Sequence, residues 1–475
     1  MAEVSVPQMP VEDVAEEVPT KRTYFFQLDV LKAIAIAFVV MDHSLTWEVK
    51  GSIGSIFWER LSIPFFLIVM GFNMGYSFRY RGAESLRELY TRDYFIRKIV
   101  RYVFPFLVLY MGSILLGLYF NQLQWDEYIL LGYLPFWGPG NWFIALLFGS
   151  IVVFPLVYWA FNKMPKVTLA LCFLSELVLQ GIMYVFYPYP AQNWTALEAF
   201  IVTAIRLNIF FFLPAVGLGL WFSRGHEMGQ VRNYFIYLYF PISLVFMVDY
   251  QTGILSSIPG FVGQFFTSVN DFIRGDYTLL FYGYAALLFL IAMRYIPKTA
   301  HGRSQRLVRD IGRASYHILL FEIFYMSIVY WFTSQDAAIH KYIPDFAAIY
   351  GWTSGVFYIP FYIMNLSFCF GGGLLWYYAE KRANKEDRPW WKHTWMQRTA
   401  YLFMALFSLV LMGASIEFIS DITGLTAWGR THTVFILNYV TGPGIMACVC
   451  AIIFFIGLSM LFLYRSFTIA EEIPI

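Results

Sequence analysis

Long apolar stretches recur from one end of the chain to the other, separated by short polar segments. Most approach the ~20 residues that a helix needs to cross a bilayer. They are continuously apolar and do not alternate, which is typical of helices rather than of barrel strands. The pattern predicts an all-α polytopic membrane protein with about twelve transmembrane helices, at residues 26–45, 54–78, 99–120, 141–161, 168–187, 202–223, 233–250, 277–296, 315–333, 354–379, 399–420 and 434–463.

The basic residues divide unevenly between the two sets of loops that these helices define. Of the 33 lysines and arginines, 26 fall on the side of the N-terminus and 5 on the other side, while Lys32 and Arg206 lie within predicted helices. Lysine and arginine are retained on the cytoplasmic side of a membrane. We therefore expect both termini to be cytoplasmic, with the protein in the plasma membrane.

Composition agrees with this class. The 475 residues are 59% hydrophobic and 13% charged, against ~25% charged in an average soluble domain. The net charge of +2 identifies no partner. All cysteines lie inside apolar stretches, which excludes a disulfide framework and a metal site of regular spacing; they are Cys172, Cys369, Cys448 and Cys450.

The first apolar helix carries Lys32 near its start and His43 near its end. Eleven positions make about three helical turns, so the two groups lie on one face, ~16 Å apart along the axis. That face is expected to line a polar interior. Two other interpretations stay open: Lys32 could reach the inner surface or pair with Asp29, and His43 could be hydrated at the outer surface.

Ionisable groups inside a membrane are costly and are hypotheses for function. Besides Lys32 and His43 they are Glu176, Arg206, His317 and Glu322. Glu176 and Arg206 could pair, although their predicted depths differ by about 10 Å. Glu322 has no evident partner in its own helix.

Three inner segments, at 84–98, 294–313 and 381–398, are rich in arginine and lysine. The first has helical spacing and should lie along the inner surface. Anionic lipid heads would attract such segments, and guanidinium groups equally suit the phosphates of a cytosolic ligand. Aromatic residues in the outer loops fit an interfacial belt or a surface on which a glycan stacks. Gly371–Gly373 indicates tight helix packing or a local break.

No motif of a soluble enzyme is present: the chain lacks a nucleotide-binding glycine loop, a zinc-type histidine pair and a nucleophile elbow. Five stretches in order instead resemble the acyltransferase-3 family of integral-membrane O-acyltransferases. They are Leu28-Asp29 with Leu31-Lys32-Ala33, Ala35 and His43; Phe65-Phe66 with Gly71-Phe72; Arg97-Lys98 with Arg101 and Pro105; Trp142-Phe143-Ile144 with Pro155; and Ser315-Tyr316-His317 with Leu319-Leu320.

Three departures from the family pattern stand out. Lys32 occupies a position where arginine is more usual, which keeps the charge but loses the planar fork. Met70 replaces a serine before Gly71, and Glu322 takes the place of a frequent histidine.

The resemblance implies an enzyme that moves an acyl group, with acetyl-CoA the expected donor, from cytosolic acyl-CoA to a hydroxyl of an extracytoplasmic carbohydrate or glycan. Membrane lipids are the other expected partners, with neither metal nor nucleic acid. His43 would be the general base, and Lys32, the second catalytic residue, would hold the donor. The substrate-binding residues would be Arg97, Arg101, Trp142, Ser315, Tyr316, Glu322 and Arg206. The donor of a hydrogen bond to the oxyanion is not predicted.

The predicted domains follow from this coverage. Residues 1–23 form an acidic, disordered cytoplasmic tail, and residues 24–380 form a ten-helix acyltransferase-like core. Residues 381–398 form a basic cytoplasmic loop, and residues 399–475 hold two extra helices and a short tail. The alternatives are a secondary transporter or flippase, against which the absence of an evident internal repeat counts, and an inactive acyltransferase-like sensor.

Overall fold

The computed structural model describes residues 24–468 apart from 46, 122, 124–126, 137, 188–194, 276, 334–357, 384–393 and 424–441. The predicted acidic tail at 1–23, most of the basic loop at 381–398 and the outer-loop tryptophans Trp125, Trp137 and Trp194 lie outside the described residues.

The described chain is helical. Its α-helices are α1 Phe26–Ser44, α2 Trp47–Ser52, α3 Ser55–Tyr80, α4 Leu86–Leu89, α5 Arg92–Lys98, α6 Phe104–Tyr119, α7 Trp142–Lys163, α8 Pro165–Phe186, α9 Ala196–Leu207, α10 Leu213–Ser223, α11 Phe235–Thr252, α12 Phe261–Phe272, α13 Tyr282–Tyr295, α14 Arg303–Thr333, α15 Tyr358–Ala383, α16 Thr394–Thr423 and α17 Gly442–Thr468.

Among the described residues, seven helical segments are long and apolar enough to cross a membrane, which makes this a multi-pass membrane protein. An eighth arises if Leu197–Leu207 and Ile209–Ser223, which meet at 45°, form one bent span. Each of the twelve predicted stretches overlaps a helix. Helix α1 is apolar but falls outside the group of seven, because it carries Asp29, Lys32 and Asp42.

Helix α3 lies at the centre of the bundle and α8 at its edge. In the most apolar stretch of each helix, 78% of the α3 residues are buried but only 22% of the α8 residues. The exposed side chains of α8 are large and apolar, among them Leu171, Leu174 and Val178. This arrangement suits a lipid-facing outer helix, since lipid tails are as apolar as leucine.

Helix α1 packs against both α3 and α14. It runs parallel to α14, because Asp29 lies against Gly312 and His43 lies against Glu322. The Gly312 contact is made with the Asp29 backbone: a Cβ atom at position 312 would lie 2.7 Å from the Asp29 Cα atom. Only a glycine permits this approach, which brings the polar face of α1 onto α14.

The glycine run 371–373 and the basic segment 84–98 differ in how well their local structure follows the sequence pattern. Helix α15 runs unbroken through Gly371–Gly373, where Gly373 packs on Ile318 of α14, so tight packing is confirmed over a break. The single helix predicted over 84–98 is wrong. The chain forms α4 and α5 instead, because Thr91 caps a second helix start by accepting from the Tyr94 N–H.

Candidate active site

A cavity of about 620 Å³ opens between α1, α3, α5, α7 and α14. Its volume falls within the ~300–1,000 Å³ of small-molecule sites. Five of the residues predicted to act on substrate line it: Lys32, Arg97, Arg101, Ser315 and Tyr316. Trp142, Arg206, Glu322 and His43 are not among its lining residues. The structure therefore brings five of the predicted catalytic and substrate-binding residues together around one cavity.

Basic side chains surround the entrance of this cavity. Arg97 and Arg101 are exposed, and Lys98 lies between them. Arg97 belongs to the last turn of α5, whereas Arg101 lies in a π-helical segment, Ile99–Val103, that leads into α6. Such π segments are frequent at functional sites. The π-helical turn is wider than an α-helical turn, so it changes the angle around the helix axis between the Arg97 and Arg101 side chains.

Further inside, Asp29 organises the charges of the cavity. Its carboxylate accepts from Lys32 Nζ at 2.7 Å and from the Tyr24 hydroxyl at 2.5 Å, and Arg313 Nε lies 3.5 Å away. The Asp29–Lys32 pair is one of the two predicted alternatives for Lys32. Burial and the hydrogen bond to Asp29 raise the pKa of the Tyr24 phenol, so that it stays a donor at neutral pH. Lys32 is thus held in place while still lining the cavity.

His43 forms the second part of the site, with Glu322. The Nδ1 atom of His43 lies 2.6 Å from Oε1 of Glu322, whose side chain is fully buried. When Glu322 is ionised it can only accept a hydrogen bond, so Nδ1 then carries the proton and a neutral imidazole has its lone pair at Nε2. A histidine oriented in this way by a carboxylate is suited to take a proton at Nε2. The partner that Glu322 lacks in its own helix is supplied by α1.

The His43 imidazole lies beyond the end of the cavity that is farthest from the entrance, and one layer of side chains separates it from the cavity. A Cβ atom built on Gly140 would be 3.4 Å from Cε1 of His43 and 3.7 Å from Cδ1 of Leu319, which lines the cavity. The predicted polar face of α1 is therefore not continuous, since Ile36 and Val39 between the two polar groups are buried and apolar. Lys32 lines the cavity, whereas His43 lies behind Leu319 and is not part of the cavity lining.

The other side of His43 faces a group of buried charges that the sequence analysis did not single out. Oδ2 of Asp42 lies 3.8 Å from Nε2 of His43, and Asp42 pairs with Lys50. Lys50 and the neighbouring ion pair Arg60–Glu59 are all buried. Asp42 directly precedes His43 in the apolar helix α1, and that position could have marked it as a candidate.

The remaining predicted residues lie elsewhere. Trp142 stacks between Phe212 and Tyr277, with ring centroids 5.9 Å away in each case. Arg206 lies in the last turn of α9. Glu176 does not form an ion pair with it; the Glu176 carboxylate instead accepts from the Leu279 N–H at 2.8 Å. The expected difference in depth between these two charges is consistent with their separate positions.

One family model, described as an acyltransferase domain of the acyltransferase-3 type, matches residues 25–336. This segment is about two thirds of the chain, and it includes α1 to α14 with the cavity, His43 and Glu322. No curated protein and no solved structure matches the chain.

Proposed function

Since this chain belongs to the acyltransferase-3 family of membrane acyltransferases, we propose that it moves an acyl group from cytosolic acyl-CoA to a hydroxyl group on an extracytoplasmic acceptor. Acetyl-CoA is the proposed donor and a carbohydrate or glycan the proposed acceptor. The observation that carries this proposal is the His43–Glu322 hydrogen bond of 2.6 Å, formed beside the end of a cavity whose entrance is cationic.

The charges of the cavity suit the donor. Acyl-CoA carries several phosphate charges at one end and a thioester at the other. Arg97, Lys98 and Arg101 at the entrance supply charge-assisted donors for phosphate oxygens. Lys32, held by Asp29, is placed to meet polar parts of the pantetheine arm. Phe66, Phe143 and Leu319 give the far end of the cavity an apolar lining that suits a short acyl group.

The chemistry proposed at His43 is general-base catalysis. The acceptor hydroxyl gives its proton to Nε2 of His43 while its oxygen attacks the thioester carbonyl. The carbon–sulfur bond then breaks, and the leaving CoA thiolate takes the proton from Nε2 of His43, which returns to the neutral imidazole. Glu322 holds the imidazole in the required tautomer and stabilises its protonated form, because its buried carboxylate faces Nδ1.

The topology proposed for this reaction has twelve spans with both termini in the cytoplasm, in the plasma membrane. The uneven division of lysine and arginine supports this orientation. It would open the arginine-lined entrance to the cytosol and leave His43 nearer the outer side, where a glycan acceptor would arrive.

Ligand binding by the purified protein tests the donor assignment. Acetyl-CoA should raise the Tm of the protein more than ADP does at equal concentration, because both ligands carry phosphates but only one carries the pantetheine arm and thioester. Lys32→Ala should weaken acetyl-CoA binding about tenfold, the value of one charge-assisted hydrogen bond. Lys32→Arg, the matched control, keeps the charge and should bind normally.

Equal shifts with acetyl-CoA and ADP would contradict the donor assignment and favour a transporter or flippase. A selective acetyl-CoA shift without any CoA release would instead favour an inactive sensor. If Lys32→Ala and Lys32→Arg both bind like the unaltered protein, Lys32 has only the structural role of pairing with Asp29.

A further inference from the structure

Asn141 is a buried polar residue that the mechanism proposed above does not use. It is 1% exposed, and neither atom of its side-chain amide has a hydrogen-bond partner among the residues that the structure describes. Buried polar groups are almost always hydrogen-bonded, and an unpaired one lowers stability. An amide retained at such a cost is a candidate for binding a ligand.

The ordinary structural role of an asparagine at this position is also missing. Asn141 immediately precedes α7, where asparagine commonly caps a helix by accepting a backbone N–H. Here its side chain makes no capping hydrogen bond. Only its backbone carbonyl takes part, accepting from the Ile144 N–H at 3.1 Å. Capping therefore does not account for the amide.

The surroundings of Asn141 connect it with the proposed reaction. Its neighbour Gly140 lies against His43: a Cβ atom there would be 3.4 Å from the imidazole Cε1 atom. Consecutive Cα atoms are about 3.8 Å apart, so Asn141 directly follows the residue whose backbone lies against the imidazole. Phe143, two residues later, lines the donor cavity. The start of α7 thus lies where the cavity and His43 meet.

Acyl transfer requires a hydrogen-bond donor at this place. As the acceptor oxygen bonds to the thioester carbon, the carbonyl electron pair moves onto the carbonyl oxygen, which becomes an oxyanion. When the carbon–sulfur bond breaks, the pair returns and the carbonyl forms again. Lys32 is engaged with Asp29 on the entrance side of the cavity. The oxyanion needs a hydrogen-bond donor nearer to His43.

Resting on the proposed function, we infer that the Asn141 side-chain amide donates a hydrogen bond from Nδ2 to the oxyanion of the tetrahedral intermediate. The start of α7 assists, since a helix N-terminus carries partial positive charge. Asn141 is then a catalytic residue that acts on the carbonyl and not on the acceptor.

Release of CoA from acetyl-CoA, with water as the acceptor, tests this inference without knowledge of the natural acceptor. Asn141→Asp keeps the shape of the side chain but removes the donor, and Asn141→Leu removes the polar group altogether. Both should lower kcat for CoA release about 10²–10³-fold, with KM and acetyl-CoA binding unchanged. Because the reaction with water involves no glycan, a loss of rate here reports on the carbonyl and not on acceptor binding.

Asn365→Asp is the matched control. Asn365 is also fully buried with an unpaired Nδ2 atom, but its Oδ1 atom accepts from Tyr325 and it lies in α15. This variant should keep the normal rate of CoA release even where its Tm falls. Retained acetyl-CoA binding identifies the Asn141 variants that are folded and comparable.

The results separate this inference from the proposed function. If folded Asn141→Asp and Asn141→Leu release CoA at the normal rate while His43→Ala does not, the role of Asn141 is overturned and the acyltransferase assignment stands. If His43→Ala also releases CoA normally, the proposed function fails together with the inference. An equal loss of rate in Asn365→Asp would mean that the rate falls when any buried amide is replaced, and it would overturn the catalytic role of Asn141.

Discussion

Helix α14 contributes to two histidine–carboxylate pairs that have the same length but different surroundings. His43 of α1 meets Glu322 of α14 at 2.6 Å, and His317 of α14 meets Glu380 of α15, also at 2.6 Å. Glu322 is completely buried, whereas the Glu380 side chain is 19% exposed. A search for short histidine–carboxylate contacts alone would rank the two pairs equally.

What differs is the environment of each imidazole. The His43 ring lies against Gly140, which precedes the unpaired amide of Asn141, and behind Leu319 of the cavity lining. The His317 ring lies between the rings of Trp376 and Tyr377, each 5.7 Å away, and ties α14 to α15. A hydrogen-bonded histidine therefore acquires a catalytic role from the space beside it. The two pairs therefore supply matched controls for each other.

The largest expected effect comes from removing the imidazoles. His43→Ala should lower acyl transfer about 10⁴-fold or below detection, because a positioned general base contributes about 10²–10⁴-fold. His317→Ala should retain most activity and lose stability instead, since it breaks a link between two helices. Steady-state CoA release and the Tm of both purified variants check this expectation. Comparable activity losses in the two variants would remove the distinction between the pairs.

A smaller effect is expected when the carboxylates are changed. Glu322→Gln presents an amide to Nδ1 and disturbs the tautomer of His43, so kcat should fall about 10²-fold while acetyl-CoA binding persists. Glu380→Gln, the control, should leave kcat close to normal. Turnover together with acetyl-CoA affinity distinguishes loss of catalysis from loss of binding. Unchanged kcat in Glu322→Gln would mean that Glu322 only fills the protein interior.

The smallest of the three effects is expected at Gly140. Its φ of +78° is unfavourable for other residues, and a methyl group would touch His43. Gly140→Ala should therefore reduce kcat about tenfold in addition to losing about 1–2 kcal/mol of stability. Gly260→Ala also strains the backbone, at a φ of +90° and a ψ of −155°, with nothing within 4 Å of the new methyl group. Gly260→Ala should lose stability but keep a normal kcat. Equal kcat values in the two variants would place Gly140 outside the active site.

The sequence predicts the regular features of this protein well. The positions of the long helices follow from apolar length, and the helical spacing of Asp29 and Lys32 predicts the ion pair between them. These relations are local: they depend on residues within one helix, where geometry is fixed by the helical repeat.

The relations that define the site are not local. His43 and Glu322 are 279 positions apart, so their contact depends on how α1 lies along α14, which no spacing reveals. Asn141 is inconspicuous in the sequence because asparagine before a helix is common. The break between α4 and α5 depends on the capping residue Thr91, which overrides the helical pattern of its neighbours.

The central claim is that the donor cavity leads to His43. The most direct measurement is a density map of the protein with a non-hydrolysable acetyl-CoA analogue bound. The account predicts the phosphates near Arg97 and Arg101 and the thioester beyond Leu319. The acceptor oxygen would then fit between the thioester carbonyl carbon and His43 Nε2, about 3–3.5 Å from each. A map that shows the thioester outside this cavity, or held on the entrance side of Leu319 with the side chains before His43 still in place, would contradict it.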